Sequence, residues 1–469
     1  MLFNSISFVV FFIVVTTLYF VLSQKYRWLL LLIASCYFYM AFVPIYIIIL
    51  GGTIIVDYFA GIYIENAKGV RRKFFLTISL IANIGVLCVF KYYNFLNGNL
   101  SALLAYSGHK NPIPFLTILL PIGLSFHTFQ AMSYTIEVYR GNQPAERNFG
   151  IYALYVMFYP QLVAGPIERP QNLLHQFYEK HDFNAERVAA GLKQMMVGFL
   201  KKLVVADRLS IYVDTIYSSS ATQSGKSLLV ATIFFAVQIY CDFSGYSDIA
   251  IGAAKVMGFD LMKNFNRPYF SLSISEFWRR WHISLSTWFK DYLYFPLGGS
   301  RVANVYRRYF NLLVVFLISG LWHGANWTFV IWGALNGCLL IIESALKVPF
   351  TTTIWWKKLL RTIITFSLIC LTWVFFRATT ANQAITIVGK ILQFKGPLYL
   401  GNPKDHFLYS VFAIFFLLFI EFIREYFPKR FELFGNKNVM VRYAVYATAV
   451  IAILLFGVLD GGQFIYFQF

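Results

Sequence analysis

The chain has 469 residues, 58% hydrophobic and 13% charged, with a mean hydropathy of +0.61. Soluble domains are about one-quarter charged, so this composition excludes a soluble globular enzyme, a disordered chain and a small disulfide scaffold. The formal charge of +19 falls between apolar runs, so it reads as membrane topology rather than nucleic-acid binding, and a basic inner face also suits anionic lipids or a phosphate-bearing donor.

The length allows roughly ten to twelve membrane-embedded helices at about 20 residues per crossing. Residues 4–22 precede the first basic residue, Lys25. A cleavable signal carries its charge ahead of the apolar run, so this segment reads as a permanent span. Further spans are expected at 28–42 and 45–64, turning at Pro44, then at 74–96 and 114–138. Loop 65–73 holds Lys68, Arg71, Arg72 and Lys73, whereas loop 97–113 holds only Lys110. The positive-inside rule then places the N-terminus outside and loops 24–27, 65–73 and 139–149 in the cytoplasm.

Residues 150–167 lack charge but are short for a span and suit a re-entrant segment. Residues 168–226 mix both charge signs, as cytoplasmic surface helices do. The apolar run 227–254 carries Asp242 and Asp248, and Gly245 between them predicts a bend or break. Region 255–308 is basic, and 309–342 is a 34-residue uncharged stretch, too long for one straight span. Later spans are expected near 359–376, 406–424 and 443–459; the basic loops around them leave this end unoriented. No internal repeat stands out. The chain reads as one membrane domain (1–150, N-terminal spans; 151–345, catalytic core; 346–469, C-terminal spans). The five cysteines (Cys36, Cys88, Cys241, Cys338, Cys370) form no CxxC, so neither disulfides nor a metal site are expected.

Polar groups in hydrocarbon point to function or to structural pairing. His323 sits in Gly320-Leu321-Trp322-His323-Gly324-Ala325-Asn326, within the uncharged stretch. The spacings Gly320/Gly324 and Gly333/Gly337 permit close helix approach or a break. Basic residues on both flanks suggest an in-and-back path with His323 near its deepest point; a histidine hydrogen-bonding a neighbouring helix fits equally. In residues 273–293, Ser273-x-x-Glu276 reads as a capping box. Phe277, Trp281, Leu285, Trp288 and Tyr292 follow as one stripe, with His282 beside it and Glu276 able to pair with Arg280. Most of that basic, Trp-rich helix suits a place on the headgroups. Asp242 and Asp248 could orient a histidine, bind a polar ligand or pair with a buried Arg. His127 and Glu137 are given structural roles by default. HExxH, Walker A, GxSxG and GxGxxG are absent, which leaves histidine acid–base chemistry beside the bilayer. A haem pair, His127 with His323, and a polysaccharide transporter or flippase are the rival readings.

The stretches RPYFSLSISEFWRRWHISLSTWFKDYLYFPLGGSR (267–301) and GLWHGANWTFVIWGALNG (320–337) resemble the membrane-bound O-acyltransferase family. LLPIGLSFHTFQAMSYTIEVYRG (119–141), AGPIERP (164–170), DFSGYSDIAIG (242–252) and the terminal FIYFQF (464–469) are similar to its bacterial branch that serves alginate O-acetylation. The resemblance runs over essentially the whole chain. It implies an all-α polytopic fold around a tunnel or funnel in the bacterial cytoplasmic membrane, with interfacial and re-entrant helices. It also implies a cytoplasmic acyl donor, acetyl-CoA or a carrier protein, with no bound cofactor, and an extracytoplasmic polysaccharide acceptor reached through an SGNH-hydrolase-like partner. The family's near-invariant histidine falls on His323, as base or transient acyl carrier, and its second signature position on His282, which binds or orients. On this reading Arg279 and Arg280 hold donor phosphates, and Trp322 and Asn326 shape the site.

Overall fold

The computed structural model describes residues 1–117, 120–349, 352–401, 404–427, 435–436, 438–458 and 464. Of the terminal FIYFQF motif, all but Phe464 lies outside the described residues. No strand occurs among them, and seven helices are long and apolar enough to cross a membrane. The chain is therefore an all-α, multi-pass membrane protein. Others fall short in length or in apolarity; Ile6–Val21 is apolar but has only 16 residues. The chain divides into two compact units, 1–195 with 249–262 and 196–248 with 263–469.

In the first unit, the Ile6–Val21 helix starts at Ser5, whose hydroxyl accepts from Phe8 N at 3.2 Å. Gln24–Met40 and Tyr46–Asn66 follow, and the chain turns at Pro44 as expected. The next element departs from the expected span 74–96. Gly69–Tyr106 is one 38-residue helical run with a π-helical turn at Cys88–Tyr92. Its length of about 57 Å exceeds a bilayer core, and no proline interrupts it. The expected span 114–138 shortens to Leu124–Arg140; Pro112, Pro114 and Pro121 stand ahead of it, and proline disfavours a helix interior. Residues 150–167 are not a full crossing: the nine-residue Phe149–Met157 helix leads into a buried turn. Two of the buried acids here are hydrogen-bonded by their neighbours. Asp57, fully buried, accepts from Ser79 Oγ at 2.6 Å and Asn83 Nδ2 at 2.8 Å. Glu137 binds Arg140, Asn142 and Gln171 at 3.1, 2.9 and 2.7 Å, a structural role as expected.

Lys68 and Lys110 flank the long helix and test the topology. Maleimide should label Lys110→Cys but not Lys68→Cys from outside intact cells in a cysteine-free background. Labelling of Lys68→Cys from outside would reverse the inferred orientation.

Three further local expectations change, in segments that lie wholly or partly in the second unit. First, Gly225–Met257 is one 33-residue helix through Gly245. The glycine serves close approach instead: a Cβ there would stand 2.8 Å from the Gly198 carbonyl oxygen. Secondly, residues 168–226 are not all surface. The Leu200–Ala206 π-helical turn buries Lys202, whose Nζ lies 2.5 Å from Asp242 and 2.8 Å from Asp207. Lys201 binds Asp248 at 2.8 Å. The intramembrane acids thus pair with lysines rather than an arginine. Thirdly, the helix expected over 273–293 is broken. Ile274–Arg280 ends at Trp281, and Ile283–Phe289 begins after His282, which is left-handed at φ 42° and ψ 55°. Most of its stripe packs inside the protein, with Phe277 and Trp281 each 1% exposed, rather than facing acyl chains. The capping box forms in part. Ser273 Oγ accepts from Glu276 N at 3.1 Å, and Glu276 Oε2 reaches back to Leu272 N at 2.7 Å. Glu343 accepts from Ile274 N and Ser275 N at 2.6 and 3.1 Å, a tertiary cap on the helix N-terminus.

Candidate functional site

The uncharged stretch folds into a hairpin of Val305–His323 and Trp327–Ala345. A Cβ on Gly320 would collide with the Phe329 carbonyl oxygen, and one on Gly333 with that of Phe316. Glycine at these positions lets the two backbones close together. His323 stands at the turn, opposite the basic ends at Arg307, Arg308 and Lys347. The stretch thus folds back on itself with His323 at the turn. At the turn, Asn326 caps the second helix, accepting from Thr328 N at 3.0 Å and donating to Thr379 O at 3.0 Å.

His323 is enclosed by aromatic rings. Trp322, Trp332 and Phe376 lie 4.9, 5.1 and 5.4 Å from it, centroid to centroid. The Trp322 indole is also 6.3 Å from His282, so one side chain stands against both imidazoles. Phe243 packs edge-on against His282 at 4.5 Å.

The two histidines line one cavity of about 300 Å³. Its apolar wall includes Trp278, Leu285, Phe289, Val315, Phe316 and Leu340, and Ser286 and Ser319 add hydroxyls. Two exposed cations also line it, Arg279 and Lys290. The cavity thus combines two neutral-capable bases, an apolar chamber and positive charge. That set suits a thioester or other activated acyl group attached to an anionic carrier.

The sequence-derived candidates divide accordingly. His282, His323 and Arg279 come together in the cavity, with Trp322 against both histidines. Arg280 does not join them. Its guanidinium is held by Glu276 at 2.6 Å and Glu425 at 2.9 Å, and Glu425 also takes Arg267 at 2.5 Å. Asn326 is occupied as a cap, and Asp242 in its ion pairs with Lys202. The haem pairing draws on different units, His127 in the first and His323 in the second. Among the described residues, no group of three or more His, Cys, Asp or Glu is placed to hold a metal, and all five cysteines are free. The sequence reading missed Lys290 and Asn264. Lys290 carried a signal, since it ends the same Trp-rich run as Arg279. Asn264 carried none: its Oδ1 lies 3.1 Å from His282 Nδ1, across a segment without periodicity.

Comparison with known proteins places the chain in a family. Residues 146–381, which include the cavity, match the model of the membrane-bound O-acyltransferase family. The chain is 42% identical over 370 residues to the probable alginate O-acetylase AlgI of Pseudomonas aeruginosa, covering 78% of this chain and 70% of that protein. It is 42% identical over 381 residues to the probable alginate O-acetylase AlgI of Azotobacter vinelandii, covering 80% and 75%. It is 35% identical over 455 residues to a peptidoglycan O-acetyltransferase of Helicobacter pylori, covering 88% and 84%. With the family model matching half of the chain and this extent of similarity to its relatives, the chain belongs to the membrane-bound O-acyltransferase family and is a membrane acyltransferase of that type.

Proposed function

We propose that this protein transfers acetyl groups from a cytoplasmic donor to the hydroxyls of an extracytoplasmic glycan, in the inner membrane of a bacterium. The observation that carries this reading is that His282 and His323, on separate elements, share one cavity with Arg279 and Lys290. The relatives' names, alginate O-acetylase and peptidoglycan O-acetyltransferase, support a glycan as the acceptor. Acetyl-CoA suits the chamber and its cationic rim: the cavity exceeds what an acetyl thioester needs and leaves room for part of the arm behind it.

In the reaction, a neutral imidazole of His323 takes the acceptor's hydroxyl proton as its oxygen attacks the thioester carbonyl. The carbon–sulfur bond breaks, the new carbon–oxygen bond completes the ester, and the proton passes to the departing thiolate. His282 orients the donor or the acceptor, and the Trp322 indole keeps the two rings in place. Arg279 and Lys290 hold the donor's phosphates. Where an extracytoplasmic partner with an SGNH-hydrolase-like fold carries the group onward, the hydroxyl that His323 deprotonates is the partner's, and the partner's ester then exchanges with a glycan hydroxyl, which returns the partner's hydroxyl free.

The test is the acetyl content of surface glycan in cells carrying or lacking the gene, alongside thiol release from acetyl-CoA by inverted membrane vesicles. Absence of both in the wild type overturns the reading. Arg279→Gln should raise the KM for acetyl-CoA about tenfold, the scale of one charge-assisted contact, and change kcat little. Arg280→Gln should instead lower membrane protein level, because it leaves Glu276 and Glu425 short of a partner. An unchanged KM for Arg279→Gln would remove it from donor binding.

A further inference from the structure

The break that carries His282 is held by one short segment. In an uninterrupted helix, Ile283 N–H would donate to the Arg279 carbonyl and Ser284 N–H to that of Arg280. Here Ile283 N donates to Asn264 O at 2.8 Å, and Ser284 N to Asn264 Oδ1 at 3.2 Å. The Arg280 carbonyl accepts from Asn266 N at 2.9 Å. Residues 264–266 thus replace the hydrogen bonds that the break removes. A left-handed backbone is unfavourable for a residue with a Cβ and persists where its surroundings impose it. These bonds impose it on His282.

The same amide sets the imidazole. A backbone N–H can only donate, so the Asn264 atom facing Ser284 N is the oxygen and not the nitrogen. Ser284 Oγ donates to that oxygen too, at 2.9 Å, and Asn264 Nδ2 donates to Ser247 Oγ at 3.2 Å. Nδ1 of His282, 3.1 Å from the oxygen, must then carry the proton, which leaves Nε2 with the lone pair. Phe243 and Phe265 on one side and Trp322 on another supply no charge to the ring. Arg279, Lys290 and His323 share its cavity, and Asp242, beside Phe243, is ion-paired with Lys202.

We propose that Asn264 is a positioning residue of the transfer site: it fixes His282 in its left-handed conformation and in the Nδ1–H tautomer, making Nε2 the basic nitrogen. This rests on the reading of His282 as part of that site. The test follows thiol release and glycan-bound label in inverted vesicles given acetyl-CoA labelled in its acetyl group, as a function of pH. Asn264→Asp sets a carboxylate against Nδ1–H, which stabilises the imidazolium. Nε2 then stays protonated to higher pH, so the rising limb of kcat/KM, set in the wild type by the His323 base, should gain a second titrating group and steepen or move up. Asn264→Ala should lower kcat about 10²-fold, the scale of a misplaced reacting group, with KM little changed. Ser284→Ala, which removes the longer 3.5 Å contact of its hydroxyl with Nδ1 but leaves the Asn264–His282 contact intact, should cost less than about tenfold.

A wild-type pH profile for Asn264→Asp overturns the proposal, as does normal kcat for Asn264→Ala at normal protein level. The near-isosteric Asp variant carries the test if the Ala variant fails to accumulate. His282→Gln separates the two claims. Wild-type transfer by that variant removes His282 from the site and this inference with it. A strong loss in His282→Gln beside wild-type behaviour of both Asn264 variants overturns the inference alone.

Discussion

Replacing His323 with Gln should leave membrane insertion and detergent-extracted yield near wild type while glycan acetylation falls at least ~100-fold, the low end for losing a general base. The two sides of this expectation come from different features. His323 is buried among Trp322, Trp332 and Phe376, and Gln is a polar side chain of similar reach that keeps hydrogen-bonding capacity. A histidine serving only to link helices contributes about 1–2 kcal/mol or less in a membrane, so the substitution is mild for folding. A Gln amide cannot take a proton near neutral pH, so it is severe for transfer. The measurement is glycan acetyl content beside quantitative membrane blots. Substantial acetylation at normal protein level would remove His323 from the mechanism. His282→Gln should cost less if His282 only orients.

The hairpin and its histidine were legible because two independent signals agreed. A 34-residue uncharged run cannot be one straight span, and glycines at four-residue spacing mark close helix approach. The break at His282 was not legible. The capping box at Ser273 and the three- and four-residue spacing of Phe277, Trp281, Leu285 and Trp288 both describe an uninterrupted helix. The side chain that ends it, Asn264, acts through tertiary hydrogen bonds that leave no periodic trace. The Gly69–Tyr106 run passes the expected end at residue 96 for a related reason: it continues through Asn94, Asn97 and Asn99, a residue type that favours helix ends and turns. Yet Asn97 donates to the Ile113 and Pro114 carbonyls, both at 3.1 Å, so tertiary bonds overrode the local preference. Arg279 and Arg280 look equivalent in sequence. Their fates differ because Glu425, far along the chain, claims only the second.

Lys202→Met should be the most damaging substitution for folding, and Asp242→Asn should be far milder. Lys202 is 6% exposed and lies between two carboxylates, Asp242 and Asp207. Removing it leaves both acids buried with no cation between them, and loss of one partner from a buried ion pair costs about 3–5 kcal/mol. That is a large share of the total stability of a typical domain, so little protein should accumulate in the membrane. Asp242→Asn leaves the Lys202–Asp207 pair intact and offers an amide oxygen in place of the carboxylate. The double variant Lys202→Met/Asp242→Asn should recover part of the lost yield, since it leaves one buried acid, not two. Non-additivity of this kind is what residues sharing a network show. The series also decides the role of Asp242. As an ion-pair partner, its Asn variant should keep wild-type transfer per folded molecule. A fully folded Asp242→Asn protein with at least ~100-fold weaker transfer, the loss expected for a residue in acid–base work, would return Asp242 to the reacting site.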